Sequence, residues 1–273
     1  MPDLATFLPL VAFLMVVRAF AGVLAGLLGV GGGIVLVPSF YYVFQILGYD
    51  GPNIMQVCVA TSLATIVVTS LRSVRAHHAR GAVEVSILRG WGAGIVGGAL
   101  VGSLVATQLR SETLTAIFAG LALIVAFYMA FSRPQWRLAD TMPTGAKRYL
   151  YSPAVGFASV LMGIGGGSFG VPLMTLHGVP IHRAVATAAG FGLLIAVPAV
   201  LLFLILPTSG LRPPMTIGLV NIPAFLIVIA MTLLTAPLGA RLAHSMTPAP
   251  LKRVFAVFLF LVALNMLRKV FAG

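Results

Sequence analysis

Charged residues are scarce in this sequence. They make up 8% of its 273 residues, and only five are acids. A soluble globular chain carries roughly 25% charged residues, so a soluble fold with an ordinary polar surface is excluded. The five acids, Asp3, Asp50, Glu84, Glu112 and Asp140, fall in loops or at the ends of apolar segments. None stands at membrane depth as a proton relay. Cysteine is present once, as Cys58, which excludes an intrachain disulfide and a multi-cysteine metal site; Cys58 reads as a small packing residue. His77, His78, His177 and His182 sit beside loops without the HExxH spacing of a metalloprotease. Solvent-facing roles suit them, although they are the side chains left to carry a proton if the function requires one to move. With no nucleophile–base pair and no metal cluster at membrane depth, the chain is not expected to be an enzyme, and no cofactor or metal is implied.

What is abundant is apolar. Hydrophobic residues reach 60% and the mean hydropathy is +1.09. Apolar stretches of about 20 residues, the length that crosses a hydrocarbon core of about 30 Å, recur along the chain. These features predict an all-α polytopic membrane protein with the lipid bilayer as its main partner. The formal net charge of +12 comes from 17 Lys and Arg. They lie mainly between apolar segments, as topology signals do, and form no basic stripe of the nucleic-acid-binding kind. The first apolar segment begins near Leu4 behind Asp3, without a basic n-region, and reads as retained structure rather than a signal peptide.

The sequence repeats itself. Residues 22–38 (GVLAGLLGVGGGIVLVP) and 156–172 (GFASVLMGIGGGSFGVP) share eight identities at a shift of 134 without a gap. Val59–Thr61 matches Val185–Thr187, and Gly102, Ala106, Leu114 and Phe118 match Gly239, Ala243, Leu251 and Phe255 at a shift of 137. Residues 1–131 therefore form a first membrane repeat, the polar and Pro-containing residues 132–148 a linker, and residues 149–273 a second repeat. In each repeat a short apolar segment, 34–47 or 168–178, follows the glycine run; as helices these measure about 21 and 16 Å. If these pieces are re-entrant, four crossings per half make the halves parallel. If they cross, five per half make them inverted. Loop charge favours inversion: the loop with Arg72, Arg75, Arg80 and Arg89 corresponds to one with only Arg212, and the bias then reverses between Arg110 and the group Arg241, Lys252 and Arg253.

Inverted repeats with short or broken helices in matching positions place a substrate site at the break. The candidates are Gly31, Gly32 and Gly33 in the first half and Gly165, Gly166, Gly167 and Ser168 in the second. Consecutive glycines let backbone N–H groups approach a ligand, and the start of the helix that follows offers free donors and a positive dipole end to an anion. Close helix packing is the competing explanation for the glycines. Thr61, Ser62 and Thr187 are candidate hydroxyl donors to an oxyanion, against simple bonding to their own helix carbonyls. Arg18, mid-way through the first apolar segment, is a candidate counter-charge, against a displaced segment with Arg18 reaching an interface.

The paired GxGGGxxxVP motifs, each followed by an Ala-Thr element, together with RSVRAHHARGAV before the next helix, resemble the TauE/SafE family of sulfite exporters and organosulfonate permeases. The resemblance spans essentially the whole chain. It implies a secondary transporter that carries sulfite, a sulfonate or a related small sulfur-containing anion across a bacterial inner membrane without nucleotide hydrolysis, and it leaves a homodimer open. The motif residues it implies are Gly29, Gly31, Gly32, Gly33 and Pro38, then Gly163, Gly165, Gly166, Gly167 and Pro172, with Ala60, Thr61 and Ser62. The second half departs from the pattern at Ala188, where a Ser is commonly seen. A passive anion channel is the alternative that the same donors would serve.

Overall fold

The computed structural model describes residues 33–132, 136–206, 212–230, 232 and 248–272. Arg18, Gly31 and Gly32 lie outside the described residues. The elements run α1 (Gly33–Ile46), α2 (Ile54–His78), α3 (Val85–Gln108), α4 (Ser111–Phe131), α5 (Gly145–Leu161), α6 (Gly167–Leu176), α7 (Ile181–Ile205), a ribbon of β1 (Thr216–Ile217) and β2 (Val220–Asn221), and α8 (Pro248–Ala272); residues 222–230 are also helical. Among the described residues, five helices are long and apolar enough to cross a membrane: α2, α3, α4, α7 and the Arg253–Phe271 portion of α8. The chain is an all-α, multi-pass membrane protein.

The described parts of the two short helices start at the third glycine of each run. At 14 and 10 residues they are about 21 and 15 Å long, too short to cross. Glycine stops both. Gly48 and Gly178 take the left-handed conformation, each with φ +81°. The Tyr49 N–H then reaches the Phe44 carbonyl at 2.9 Å, and the Val179 N–H the Met174 carbonyl at 3.0 Å, the closing bond of a Schellman motif.

Chain direction follows from contacts between elements. The Leu138 and Ala139 N–H groups both donate to the Leu176 carbonyl at the end of α6, at 2.7 and 3.3 Å. The end of α6 thus lies against the segment that leads into α5, so α5 and α6 form a hairpin that starts and finishes at one end of the bundle. The loop ahead of α3 belongs to this end too, because Arg183 in the first turn of α7 pairs with Glu84. Arg72, Arg75, Arg80, Arg89, Lys147 and Arg148 occupy helix termini or loops here, and it is called the basic end below. At the opposite end the Ser111 N–H meets the Pro52 carbonyl at 3.1 Å, and Lys269 near the end of α8 donates to Gln45 near the end of α1 at 2.6 Å.

Two element boundaries differ from the sequence reading. α5 starts at Gly145 rather than near 149, because a helix end that reaches a polar interface tolerates Lys147 and Arg148 in its first turn. Sequence alone marks residues 215–240 as one apolar segment, yet its start is not helical. Met215 and Gly218 have φ +58° and +57° and bend the chain into the ribbon; the helix begins only behind Asn221, whose Oδ1 accepts the Ala224 N–H at 3.0 Å.

α3 lies directly on α5. A β-carbon at Gly98 would sit 2.6 Å from the Pro153 carbonyl carbon, and one at Gly156 would sit 2.9 Å from the Ala99 nitrogen. Backbone approach of this kind is how helices gain packing energy in lipid, where no hydrophobic drive joins them. Gly97, one residue along, has nothing within 4 Å of a β-carbon. Gly98→Val is therefore expected to destabilise the protein by more than the ~1–3 kcal/mol of ordinary overpacking, seen as a lowered unfolding temperature in detergent. Gly97→Ala should hold or raise that temperature, because Ala is the better helix former by up to about 1 kcal/mol.

Candidate anion site at the helix break

α5 stops at a Schellman motif of its own. Gly163 takes φ +59°, the Gly163 N–H donates to the Val160 carbonyl at 2.9 Å, and the Ile164 N–H donates to the Ser159 carbonyl at 2.9 Å. The first glycine of GxGGG is therefore a helix terminator, for which a left-handed residue is needed. α6 starts four residues later. Its first backbone bond is the Gly170 N–H to the Gly166 carbonyl at 2.8 Å, and no side chain caps the helix at Gly166. The N–H groups of Gly167, Ser168 and Phe169 precede the first intrahelical acceptor, as in any helix start. Residues 160–168 are buried. Among them Ser168 is 3% exposed, and its Oγ has no hydrogen-bond partner. The result is a buried cluster of donors at the positive end of a helix dipole, an arrangement that suits an anion.

The two glycine motifs meet here. A β-carbon at Gly33 would lie 2.6 Å from the Gly163 carbonyl oxygen and 3.1 Å from the Ile164 Cα. Ser62 Oγ donates to that same carbonyl at 2.7 Å. Gly165 faces the crossing of α2 and α7, where its β-carbon would lie 3.3 Å from Ile66 Cγ2 and 3.7 Å from the Gly192 Cα. Gly166 is held more tightly: a β-carbon would overlap the Phe191 Cβ and lie 2.7 Å from the Ala188 carbonyl. Close packing thus accounts for the missing side chain of Gly166 on its α7 face, without bearing on where its N–H points.

The profile of the family described as "Sulfite exporter TauE/SafE" matches residues 14–266. The chain belongs to this family. It is 32% identical over 256 residues to a "Probable membrane transporter protein" of Haemophilus influenzae, covering 93% of this chain and 97% of the relative. A protein of the same description from Methanocaldococcus jannaschii is 27% identical over 267 residues, covering 96% and 97%. No solved structure matches. The family and its relatives make the chain a membrane transporter.

In this TauE/SafE protein the hydroxyls of the Ala-Thr elements do more for the scaffold than the sequence suggested. Ser62 has committed its proton to the Gly163 carbonyl and so acts by holding the break rather than by donating to a ligand. Thr61 Oγ1 accepts the Asn221 N–H at 2.9 Å, and Thr187 Oγ1 accepts the Glu84 N–H at 2.9 Å. Each keeps only its own proton to offer. The two bonds are related by exchange. Thr61 and Thr187 are equivalent in the repeat, and Glu84 and Asn221 are separated by 137, the shift that relates the later parts of the two halves. Ala188, in the place of Ser62, supplies no hydroxyl, and its carbonyl packs on Gly166.

Two participants escaped the sequence reading. Asn221 is 3% exposed and also donates through Nδ2 to the Pro214 carbonyl and Thr216 Oγ1, at 3.0 and 2.9 Å. An Asn followed by Ile222 and Pro223 is a helix-start signal, so it was readable. The Glu84–Arg183 ion pair joins residues 99 apart, and nothing in the local sequence announces it. Among the described residues no three His, Cys, Asp or Glu side chains could hold a metal ion together.

Ser62→Ala would leave the Gly163 carbonyl buried without its partner, and should cost about 1–3 kcal/mol of stability. Ser103→Ala is the matched control, because Ser103 bonds only the Ala99 carbonyl of its own helix at 2.8 Å, and should change stability by about 0.5 kcal/mol or less. Thermal unfolding of the two purified variants side by side checks the difference.

Proposed function

We propose that the protein is a secondary transporter that moves a small sulfur-containing anion, such as sulfite, a sulfonate or a related oxyanion, across a bacterial inner membrane. The anion is held near the midplane at the two glycine-rich breaks. The observation that carries this reading is the buried start of α6, which holds three first-turn N–H groups and the unpaired Ser168 hydroxyl. Gly165, Gly166, Gly167 and Ser168 form one side of the site in this reading. Gly33, with Gly31 and Gly32, forms the other, Arg18 supplies counter-charge, and Thr61 and Thr187 border the site.

Inverted repeats are part of the proposal, and several observations support them. The exchanged bonds Thr61–Asn221 and Thr187–Glu84 are what a two-fold relation between the halves would produce. The equivalent helices α2 and α7 run in opposite directions: Thr187 near the start of α7 lies by the loop after α2, while Thr61 near the start of α2 lies by the ribbon after α7. α4 and α8 also pair head to tail, with Phe127 edge-on to Phe260 at 6.0 Å. A short helix that turns back after the break reconciles the two sequence alternatives, because the hairpin adds two partial passes and leaves the parity of five. The excess of Arg and Lys at the basic end makes that end cytoplasmic under the positive-inside rule. Burial of the whole break supports a carrier that opens alternately to each side over an open pore.

Purified protein should be stabilised selectively by sulfite, thiosulfate or a small sulfonate, and not by acetate. Saturation at one hundred times Kd corresponds to about 2.7 kcal/mol. Gly165→Ala, whose added methyl fits with a small shift of Ile66, should fold and bind at least roughly tenfold more weakly, about 1.4 kcal/mol. A flat thermal response across the panel, together with no flux of any member in proteoliposomes, would sink the reading.

A further inference from the structure

Hydroxyls inside these helices commonly bond a carbonyl of their own helix. Ser39, Ser103, Thr115, Ser152 and Thr175 each donate to the carbonyl four residues back, at 2.7, 2.8, 2.7, 2.8 and 3.0 Å. Thr65, Thr69 and Thr107 use the carbonyl three residues back. Such back-bonding is the default for a hydroxyl in a helix that faces no water. Among the described residues two buried hydroxyls find no partner, those of Ser159 and Ser168. Ser168 stands in the first turn of α6, with no helical carbonyl four residues behind it. Ser159 stands in the body of α5, at 0% exposure, with the Val155 carbonyl in the position that its counterparts elsewhere use.

A fully buried hydroxyl that forgoes an available carbonyl destabilises the folded state unless something else bonds it. The turn in question is the one onto which the break folds, because the Ser159 carbonyl accepts the Ile164 N–H. The two unpaired hydroxyls therefore bracket the break, Ser159 four residues before Gly163 and Ser168 immediately after Gly167. We infer that Ser159 is a further ligand-binding residue of the anion site, its hydroxyl donating to the same anion as the α6 start and Ser168. This rests on the anion reading above and extends it. A hydroxyl from α5 before the break, added to the donors of α6 after it, supplies one more hydrogen bond to an anion with three oxygens than a flat carboxylate with two can use.

Removal of a hydroxyl that serves only the ligand has an unusual signature. Ser159→Ala should raise or hold the unfolding temperature of the ligand-free protein, since it deletes an unsatisfied polar group. It should also weaken binding of sulfite and methanesulfonate by about tenfold or more. Ser103→Ala, self-bonded in the wild type, should leave binding unchanged. The experiment is thermal unfolding of wild type, Ser159→Ala and Ser103→Ala over a concentration series of sulfite and of methanesulfonate, with acetate as the control. If wild type responds and Ser159→Ala responds at the same concentrations, Ser159 does not touch the anion and this inference alone falls. A lowered ligand-free unfolding temperature in Ser159→Ala would reveal a structural partner and overturn it as well. If wild type responds to neither anion, the anion reading fails and takes the inference with it.

Discussion

A helix that stops inside a packed bundle leaves polar backbone groups that must find partners there, and the rest of this structure is organised around that constraint. At the break after α5 the Ser159, Val160 and Gly163 carbonyls are bonded by protein. Gly163 and Ile164 return their N–H groups to Val160 and Ser159, and Ser62 crosses from the other repeat to reach the Gly163 carbonyl. The N–H side is treated differently. α6 begins without a side-chain cap, its first-turn donors lie in a buried setting, and the Ser168 hydroxyl stands unpaired among them. Carbonyls on the α5 side are thus bonded while donors remain at the start of α6, an arrangement that suits a group bearing negative charge.

The surrounding helices hold this arrangement by close approach. α3 carries glycines where α5 crosses it, and Gly166 lets α6 lie on Phe191 of α7. Hydrogen bonds between the repeats then tie the site to both ends of the bundle. Thr61 receives the N–H at the head of the 222–230 helix, and Thr187 receives the N–H at the head of α3. Each bond links a helix that passes the break to the helix that follows in the opposite repeat. A displacement at either end of the bundle would strain the link at that end. The ion pair between Glu84 and Arg183 reinforces only the basic end; the corresponding pair of positions, Val57 and Asn221, carries no charge. The two ends are thus held by unequal bonds even though the fold beneath them repeats.

Much of this was legible before any coordinates. Twenty-residue apolar runs with few charges admit only membrane helices, and the eight identities between residues 22–38 and 156–172 mark a duplication. The shortness of α1 and α6 follows from glycine at both of their borders. Gly163 and the polar border at Asn221 are local signals, since left-handed backbone and helix capping depend on a residue and its near neighbours. The start of α5 was misplaced for the converse reason: cations in a first turn look like loop until the interface they reach is known.

The sequence by itself determined the membrane class, the family, the repeat and the presence of a helix break, because hydropathy, backbone conformation and duplication are written in short stretches of chain. Only the tertiary structure decided which polar groups remain free. Ser62, Thr61 and Thr187 read as equal donors in sequence, yet one is committed to Gly163 and two serve as acceptors for amides more than one hundred residues away. Ser159 reads as an ordinary helix serine and is left unpaired. A hydroxyl's role depends on what lies within 3 Å of it, and in a bundle of packed helices those neighbours come from distant segments.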